Sequence, residues 1–337
     1  MTAHARRARV VAGLLAAMVL LLALGLAAGS GGLSWHELMQ DLHGPQAALV
    51  FGEIRAPRTL GAAFVGALLG LAGALAQGVF RNPLADPYLL GAAAGASLGV
   101  VLVLTAGTLA GLGLSVATVA WLERFGIVAA AFAGALAGVA LALTLARGAQ
   151  QTLRLLLAGV VVGVMLGAIE ELLTIVSPEA LRARQVFLLG STSFIGWSAV
   201  VVLAAGVALA LPLAVRSARV LDALTLGDDS AASLGLVLGR WRLMLVALLA
   251  FCTGLAVAHA GLIAFVGLVA PHVVRRLAPS AHGFLLLGSA LAGGVLLLAA
   301  DVLARALVAP RELPVGVITA VLGGGYLLWL LHRRAGR

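Results

Sequence analysis

Long apolar runs dominate this chain, and short polar stretches rich in arginine, proline and glycine separate them. Most runs have about 17–25 residues, the length with which an α-helix crosses the hydrocarbon core of a membrane. The runs are continuous, whereas the strands of a membrane barrel alternate apolar and polar residues. The pattern therefore predicts an all-α integral membrane protein with about ten transmembrane helices. The predicted spans are residues 10–28, 59–79, 89–105, 127–146, 153–175, 197–215, 243–259, 262–274, 284–303 and 314–331.

The composition agrees with a membrane protein. Of the 337 residues, 62% are hydrophobic and 10% are charged. A soluble domain has about 25% charged residues, so no soluble core could bury this much apolar surface. We therefore expect a single transmembrane domain over residues 1–337. It includes an external segment at 176–196, in which Pro178 opens a short helix, and a polar cytoplasmic segment at 220–238.

The arginines predict the topology. All 22 basic residues are arginines, and most of them fall in loops that the spans place on one side of the membrane. Positively charged loops stay inside, so both termini are predicted to lie in the cytoplasm. A cleaved signal peptide is the alternative interpretation of the first run, which is long and lacks a clear cleavage site. The eighth span is short, and eight or nine crossings result if it is re-entrant.

The absence of lysine excludes one function. A P-loop needs a lysine to reach the phosphates of ATP, so this chain cannot hydrolyse ATP by that route, and any ATP-driven motor must be another polypeptide. The sequence contains neither a metal-ligand cluster nor a nucleophile with its base, so we predict no enzyme activity, no metal and no bound cofactor. The net charge of +9 comes from arginines scattered between apolar runs, which indicates a topology signal and no nucleic-acid binding.

Charged residues near the predicted outer face need an explanation. Arg55 and Arg58 flank Pro57 at the outer mouth of the second span, against the positive-inside bias. Either they snorkel to lipid headgroups, or they bind carboxylates of an external partner. Asp301 lies within the ninth span, where a buried charge is costly, and Arg305, one helical turn later, is its predicted partner.

Two polar stretches face the predicted cytoplasmic side. Residues 81–91 contain Asn-Pro and Asp-Pro, each of which starts a turn, so they form a rigid corner between two spans. Residues 224–235 predict two short helices, each ended by a glycine, with Asp228 and Asp229 at the start of the second. Such an acidic knob is suited to fit a groove on another protein.

Four stretches carry a resemblance to a known family. They read RNPLADPYLLG at 81–91, LGDDSAASLG at 226–235, FVGLVAPHVVRR at 265–276 and ELPVGV at 312–317. In this order they resemble the FecCD-type permeases of ABC importers, and the resemblance covers residues 55–331. It implies a type II ABC importer permease architecture and a functional homodimer in the cytoplasmic membrane of a bacterium. The expected function is to carry a large metal chelate, first a ferric siderophore and otherwise cobalamin or haem, by alternating access.

The resemblance also implies partners and residue roles. Two ATP-binding cassette subunits would use ATP-Mg on the inner side, an external solute-binding protein would dock on the outer side, and lipid would surround the rest. Docking would involve Arg55, Arg58 and, as the third residue, Arg305 or alternatively Arg311. Coupling to the ATPase would involve Leu226, Gly227, Asp228, Asp229, Ser233, Leu234 and Gly235. The inner gate would consist of Asn82, Leu84, Gln151 and Thr152, and the fifth and tenth spans would line the pathway.

The last span and the seventh span depart from the family pattern. Gly323, Gly324 and Gly325 stand before Tyr326 where the family has Gly-x-Pro, which puts a local helix break in doubt, although three glycines could loosen the helix similarly. Tyr326 is a candidate for the pathway. His259 lies where the family is usually small or apolar.

Two adjacent acidic residues in the fifth span, Glu170 and Glu171, are also unusual. Either they pair with Arg182 or Arg184 near the outer interface, or one of them lines the pathway and attracts a cationic or metal-chelate substrate. They also bear on the alternative function, an ion-gradient-driven secondary transporter, because that class keeps ionisable groups near the membrane midplane. Only Asp301 and these two glutamates could serve there, and such a transporter would not need the acidic knob.

Overall fold

The computed structural model describes residues 2–29, 32, 33, 39, 44–109, 126–149 and 151–335. Within these ranges the chain is helical, with one isolated β-bridge between Gly29 and Gly32. The first six helices are α1 (Ala3–Ala27), α2 (Ala56–Val79), α3 (Ala92–Leu109), α4 (Ile127–Leu145), α5 (Thr152–Val176) and α6 (Pro178–Leu189). The next seven are α7 (Trp197–Arg216), α8 (Ala218–Thr225), α9 (Asp228–Ser233), α10 (Leu238–Ala260), α11 (Val266–Leu277), α12 (His282–Ala306) and α13 (Val315–Ala335).

A helix stands at each of the ten predicted spans. In the described part of the chain, seven helical segments are long and apolar enough to cross a membrane, and two shorter apolar helices cover Ala92–Ala106 and Val315–Leu330. The eighth predicted span is α11, whose 12 residues extend about 18 Å, against the ~30 Å of a hydrocarbon core. Residues 261–265 before it are not helical. This span is therefore shorter than a full crossing, as the re-entrant alternative requires.

Helix α2 forms the centre of the bundle and is buried along most of its length. It packs against α7, α10, α11 and α12. Its contact with α12 depends on glycines, because a Cβ atom on Gly70 would lie 2.1 Å from the Ser289 carbonyl oxygen and one on Gly66 2.3 Å from that of Gly293. The abundant glycine thus brings helix backbones into contact, as small residues do in membranes.

The second span has an unexpected start. A π-helical segment, Leu49–Arg55, leads into α2 without a break, so the Arg55–Arg58 stretch lies inside one continuous helix. Pro57, which has no backbone N–H to donate, lies at the junction where the π-helical segment changes to α-helix. The sequence-based start at residue 59 is therefore wrong, and both arginines project from a helix.

The predicted corner at 81–91 is built from side-chain-to-backbone turns. Asn82 Oδ1 accepts a hydrogen bond from the Leu84 N–H at 2.9 Å, and Asp86 Oδ1 accepts one from the Tyr88 N–H at 2.8 Å. The Tyr88 hydroxyl donates to the Ile263 carbonyl at 3.1 Å. These bonds fix the corner against the loop before α11 and give it the rigidity that the two prolines predict.

The last span shows no helix break. Helix α13 runs from Val315 to Ala335 through the three glycines. The space at Gly323 is filled by Phe265, whose Cβ atom would lie 2.3 Å from a Cβ on that glycine. This glycine therefore admits a neighbouring side chain.

Candidate functional site

The end of the bundle that the sequence predicts to face outwards, called the outer end below, holds a buried ion cluster built on Asp301. This carboxylate is fully buried and accepts hydrogen bonds from Arg58 Nε at 3.1 Å and from the Thr192 hydroxyl at 2.5 Å. Its second oxygen pairs with Arg305, one turn along α12. The predicted Asp301–Arg305 pair is confirmed, and Arg58 is a second partner that local spacing could not reveal.

Glu312 closes this cluster on its exposed side. Both of its carboxylate oxygens accept from Arg58 Nη1, at 2.8 and 2.9 Å, and the Ser193 hydroxyl donates to it at 3.1 Å. The Glu312 side chain is 38% exposed. Arg58 is thus held between an inner carboxylate that water does not reach and an outer one that it does.

The other two arginines bind the C-terminal end of α1. Arg305 Nη1 donates to the carbonyls of Gly25 at 2.8 Å and Ala28 at 3.3 Å, and Arg55 Nη1 donates to that of Leu26 at 3.2 Å. The last carbonyls of a helix lack partners within it and carry the negative end of its dipole. The two guanidiniums satisfy these carbonyls and so attach α1 to the rest of the bundle.

The predicted docking arginines are therefore engaged inside the chain. Arg55, Arg58 and Arg305 are only 6%, 8% and 3% exposed, whereas Arg311, the alternative third residue, is exposed. In this structure carboxylates and carbonyls of the same chain surround the three arginines, so they are not open at the surface. Snorkelling to lipid headgroups therefore does not describe them. Their docking role itself stays a prediction.

The opposite end of the bundle, which the sequence predicts to face the cytoplasm and which is called the inner end below, holds a second ion cluster, built on Asp228. This residue begins α9 after Gly227, whose φ of +103° suits glycine, and Gly235 follows the helix with a φ of +80°. Asp228 Oδ1 accepts from Arg81 Nη2 at 2.5 Å and from Arg242 Nη2 at 2.7 Å. The acidic knob is thus joined both to the 81–91 corner and to α10.

The electrostatics of Asp228 follow from these two partners. Partial burial raises the pKa of its carboxyl, but the hydrogen bonds and charges of Arg242 and Arg81 outweigh this and hold the pKa below its ordinary value. Arg242 is only 1% exposed, while the neighbouring Asp229 is exposed. Of the two adjacent aspartates, Asp228 is the one that connects helices.

The helix that leads into the knob, α8, has a connection of its own that was not predicted from the sequence. Asp222 on α8 accepts a hydrogen bond from the backbone N–H of His282 at 3.0 Å, and its Oδ1 lies 2.6 Å from His282 Nδ1. The pair joins α8 to the first residue of α12. The two residues are separated by 60 positions, so no local pattern indicates that they meet.

The two glutamates of α5 are held by the short external helix α6. Arg184 forms ion pairs with Glu170 at 2.9 Å and with Glu171 at 2.8 Å, and the Ser97 hydroxyl donates to Glu170 at 2.5 Å. The structure agrees with the first of the two alternatives: both glutamates pair with a neighbouring arginine, and that arginine is Arg184. A pathway role for Glu170 and Glu171 stays a prediction.

We expect Arg184→Ala to lower the free energy of unfolding by about 1–3 kcal/mol, because it leaves the buried Glu170 carboxylate without its cation. Hydrogen exchange should rise in α6. Arg182→Ala removes an exposed arginine from the same helix and should change stability by less than about 0.5 kcal/mol. Thermal unfolding of the detergent-purified protein measures both variants. Similar losses of stability in the two would contradict the role of Arg184 in holding α6 to α5.

The predicted gate residues lie at the inner end of the bundle. Asn82 and Leu84 are exposed in the corner, Gln151 precedes α5, and Thr152 is its first residue. Tyr326 packs edge-on against His272, with ring centroids 5.8 Å apart. The gate and pathway roles stay predictions.

His259, the departure in the seventh span, lines a cavity of about 1220 Å³ between α4, α6, α7 and α10. Its Nδ1 lies 3.0 Å from the Leu255 carbonyl oxygen of the preceding turn. No group of three metal-ligating side chains occurs in the described part of the chain.

Comparisons with known proteins agree with this architecture. The model of the FecCD transport family matches residues 16–333. The chain is 39% identical to the hemin transport system permease protein HmuU of Yersinia pestis over 329 residues, which are 97% of this chain and 96% of that protein. It is also 39% identical to the vitamin B12 import system permease protein BtuC of Escherichia coli O6:H1 over 321 residues, or 95% and 93% of the two chains.

A solved structure is similar over nearly the whole chain. It is a metal-chelate type ABC transporter in an inward-facing conformation, and it matches with a TM-score of 0.83 and 26% identity over 96% of this chain and 99% of that one. The family model, the two permeases and this structure all extend across the bundle that carries both ion clusters. The chain belongs to the FecCD transport family.

Proposed function

We propose that this chain is the membrane-spanning permease subunit of an ATP-binding-cassette importer. It works as a homodimer with two separate ATPase subunits, which use ATP-Mg, and with one external solute-binding protein. Family membership over residues 16–333 supports the proposal, as do relatives named as permeases for hemin and vitamin B12. The chain lies in the cytoplasmic membrane with both termini inside.

The observation that carries this proposal is the connection between the acidic knob and the corner. Asp228 holds Arg81, which stands directly before the gate candidates Asn82 and Leu84. An ATPase that displaces α9 would therefore move the corner with it. Arg242 transmits the same displacement to α10. The remaining coupling candidates are Leu226, Gly227, Asp229, Ser233, Leu234 and Gly235.

The solute-binding protein docks at the outer end. Arg311 is exposed and can meet a carboxylate without any change in the bundle. Glu312 covers Arg58 on its exposed side. A carboxylate of the binding protein would therefore have to displace the Glu312 carboxylate before it could bind Arg58. Arg55 and Arg305 would first have to release the carbonyls of α1. On this basis Arg311 is a stronger third candidate than Arg305.

The substrate is a large metal chelate, which is released into a pathway lined by α5 and α13. A ferric siderophore is the first choice, with cobalamin and haem as the others. The similar transporter of metal-chelate type and the hemin and vitamin B12 permeases support this class. A secondary transporter is disfavoured, because Asp301, Glu170 and Glu171 all form ion pairs with arginines of this chain, and Asp301 and Glu170 are also buried.

Reconstitution in proteoliposomes tests the proposal. Uptake of a ferric siderophore, cobalamin or haem should require ATP on the ATPase side, both partner proteins and this permease. An ATPase subunit whose P-loop lysine is replaced serves as the control and should abolish uptake. Uptake by this chain alone, driven by a proton or sodium gradient, would refute the proposal.

A further inference from the structure

A groove runs between the first turns of α1 and the start of α12. It encloses about 530 Å³. Its residues on α1 recur every three or four positions and so occupy one face of the helix. The lining residues are His4, Arg7, Ala8, Val11, Ala12 and Leu15 on α1, and Phe284 on α12.

The groove changes from cationic to apolar along the helix axis. His4 and Arg7 stand at the terminal end, where the membrane interface lies, and Val11, Ala12 and Leu15 follow towards the membrane interior. None of the lining residues is a carboxylate. A phospholipid has the same order, a charged headgroup at the interface and acyl chains below it, so groove and lipid match in both charge and depth.

Arg7 is the cation of this groove. The residue is only partly buried, and its guanidinium lies 5.7 Å from the centre of the Phe284 ring. Its Nε is covered by the chain, so a ligand in the groove would bind the remaining N–H groups of the guanidinium. The adjacent Arg6 differs, because its Nε donates to the Leu277 carbonyl at 2.6 Å. Phosphate oxygens are strong acceptors for guanidinium.

We infer that this groove binds an anionic phospholipid from the leaflet in which the N-terminus lies. The lipid phosphate accepts from Arg7, His4 lies at the headgroup, and one acyl chain lies along Val11, Ala12 and Leu15 against Phe284. The bound lipid covers the contact between α1 and α12. The inference rests on the groove alone and does not require the proposed transport function.

Lipid titration of the delipidated, detergent-purified permease, followed by native mass spectrometry, tests the inference. Phosphatidylglycerol should bind more tightly than phosphatidylcholine. Arg7→Gln should weaken phosphatidylglycerol binding about five-fold, the factor expected for one arginine at a membrane surface. Arg7→Lys should retain most of it. The control Arg147→Gln removes an exposed arginine outside the groove and should leave binding unchanged.

The variant Ala12→Trp tests the contact with the acyl chain separately from the contact with the headgroup. It fills the apolar part of the groove while retaining Arg7, and it should also lower phosphatidylglycerol binding. Soluble glycerol phosphate, which has the headgroup charge but no chains, should not compete. Equal affinity for both lipids, unchanged binding in Arg7→Gln, or full competition by glycerol phosphate would each overturn the inference.

Discussion

Replacement of Asp301 by asparagine is expected to cost about 3–5 kcal/mol of stability, because two buried guanidiniums lose their shared carboxylate. Arg58 and Arg305 both bind this side chain and are almost fully buried, so little water can replace it. Arg305 would also be less well placed to bind the carbonyls of α1. Thermal unfolding of the detergent-purified permease, together with the yield of folded protein, measures this loss.

Glu312→Gln is the matched control for Asp301→Asn. It removes one negative charge from the same cluster but at the exposed side, where an ion pair contributes about 1 kcal/mol or less. The large difference expected between the two variants follows from the burial of Asp301 and from its two arginine partners. If both lost the same stability, the buried carboxylate would not be the centre of the cluster.

The sequence predicts those parts of the fold that depend on neighbouring residues. Continuous apolar runs locate the helices, because a membrane span must be apolar along its whole length. The Asp301–Arg305 pair follows from their spacing of one helical turn, and the start of α9 follows from a glycine followed by two aspartates. Each of these predictions uses residues that are a few positions apart.

Contacts between distant segments could not be predicted in this way. Arg58 and Asp301 are 243 positions apart, and Arg81 and Asp228 are 147 positions apart. A single sequence contains no signal that two such residues meet. For this reason the sequence identified Arg58 at the outer mouth but not that Asp301 and Glu312 bind it.

Helix ends that lie within apolar sequence could not be predicted from the sequence either. The sequence places the eighth span at 262–274, whereas α11 begins at Val266. The chain before it is apolar, but Gly261 and Phe265 both have positive φ, of +68°, and therefore interrupt the helix. Hydrophobicity carries no information about this backbone change, because apolar residues lie on both sides of it.

The two ion clusters are connected through a pair of closely packed helices. Helix α2 has Arg58 in its first turn and is followed by Arg81, while α12 begins at His282 and carries Asp301 and Arg305. Their backbones touch at Gly70 and Ser289. Such a pair moves as one body more easily than it separates, because closely packed interiors resist deformation. A displacement at the inner knob is therefore expected to reach the outer cluster.

The connection at the knob should persist over the physiological pH range. The pKa of Asp228 is lowered in the folded protein, so its ion pairs stabilise the fold above its ordinary value near ~3.9 and are lost only as the pH falls through the lowered value. Coupling measured between about pH 5 and pH 8 should not change through this residue.

Asp228→Asn is expected to reduce ATP-driven uptake up to about ten-fold while the ATPase subunits still hydrolyse ATP. The change weakens two ion pairs of a carboxylate that is 42% exposed, each worth about 1 kcal/mol or less, and about 1.4 kcal/mol for the two together corresponds to a factor of ten. Asp229→Asn is the control, since Asp229 is exposed on the same short helix and should retain most of the uptake. Uptake and ATP hydrolysis are measured together in proteoliposomes. If Asp229→Asn lost uptake and Asp228→Asn did not, the surface of the knob, and not its connection to Arg81 and Arg242, would carry the coupling.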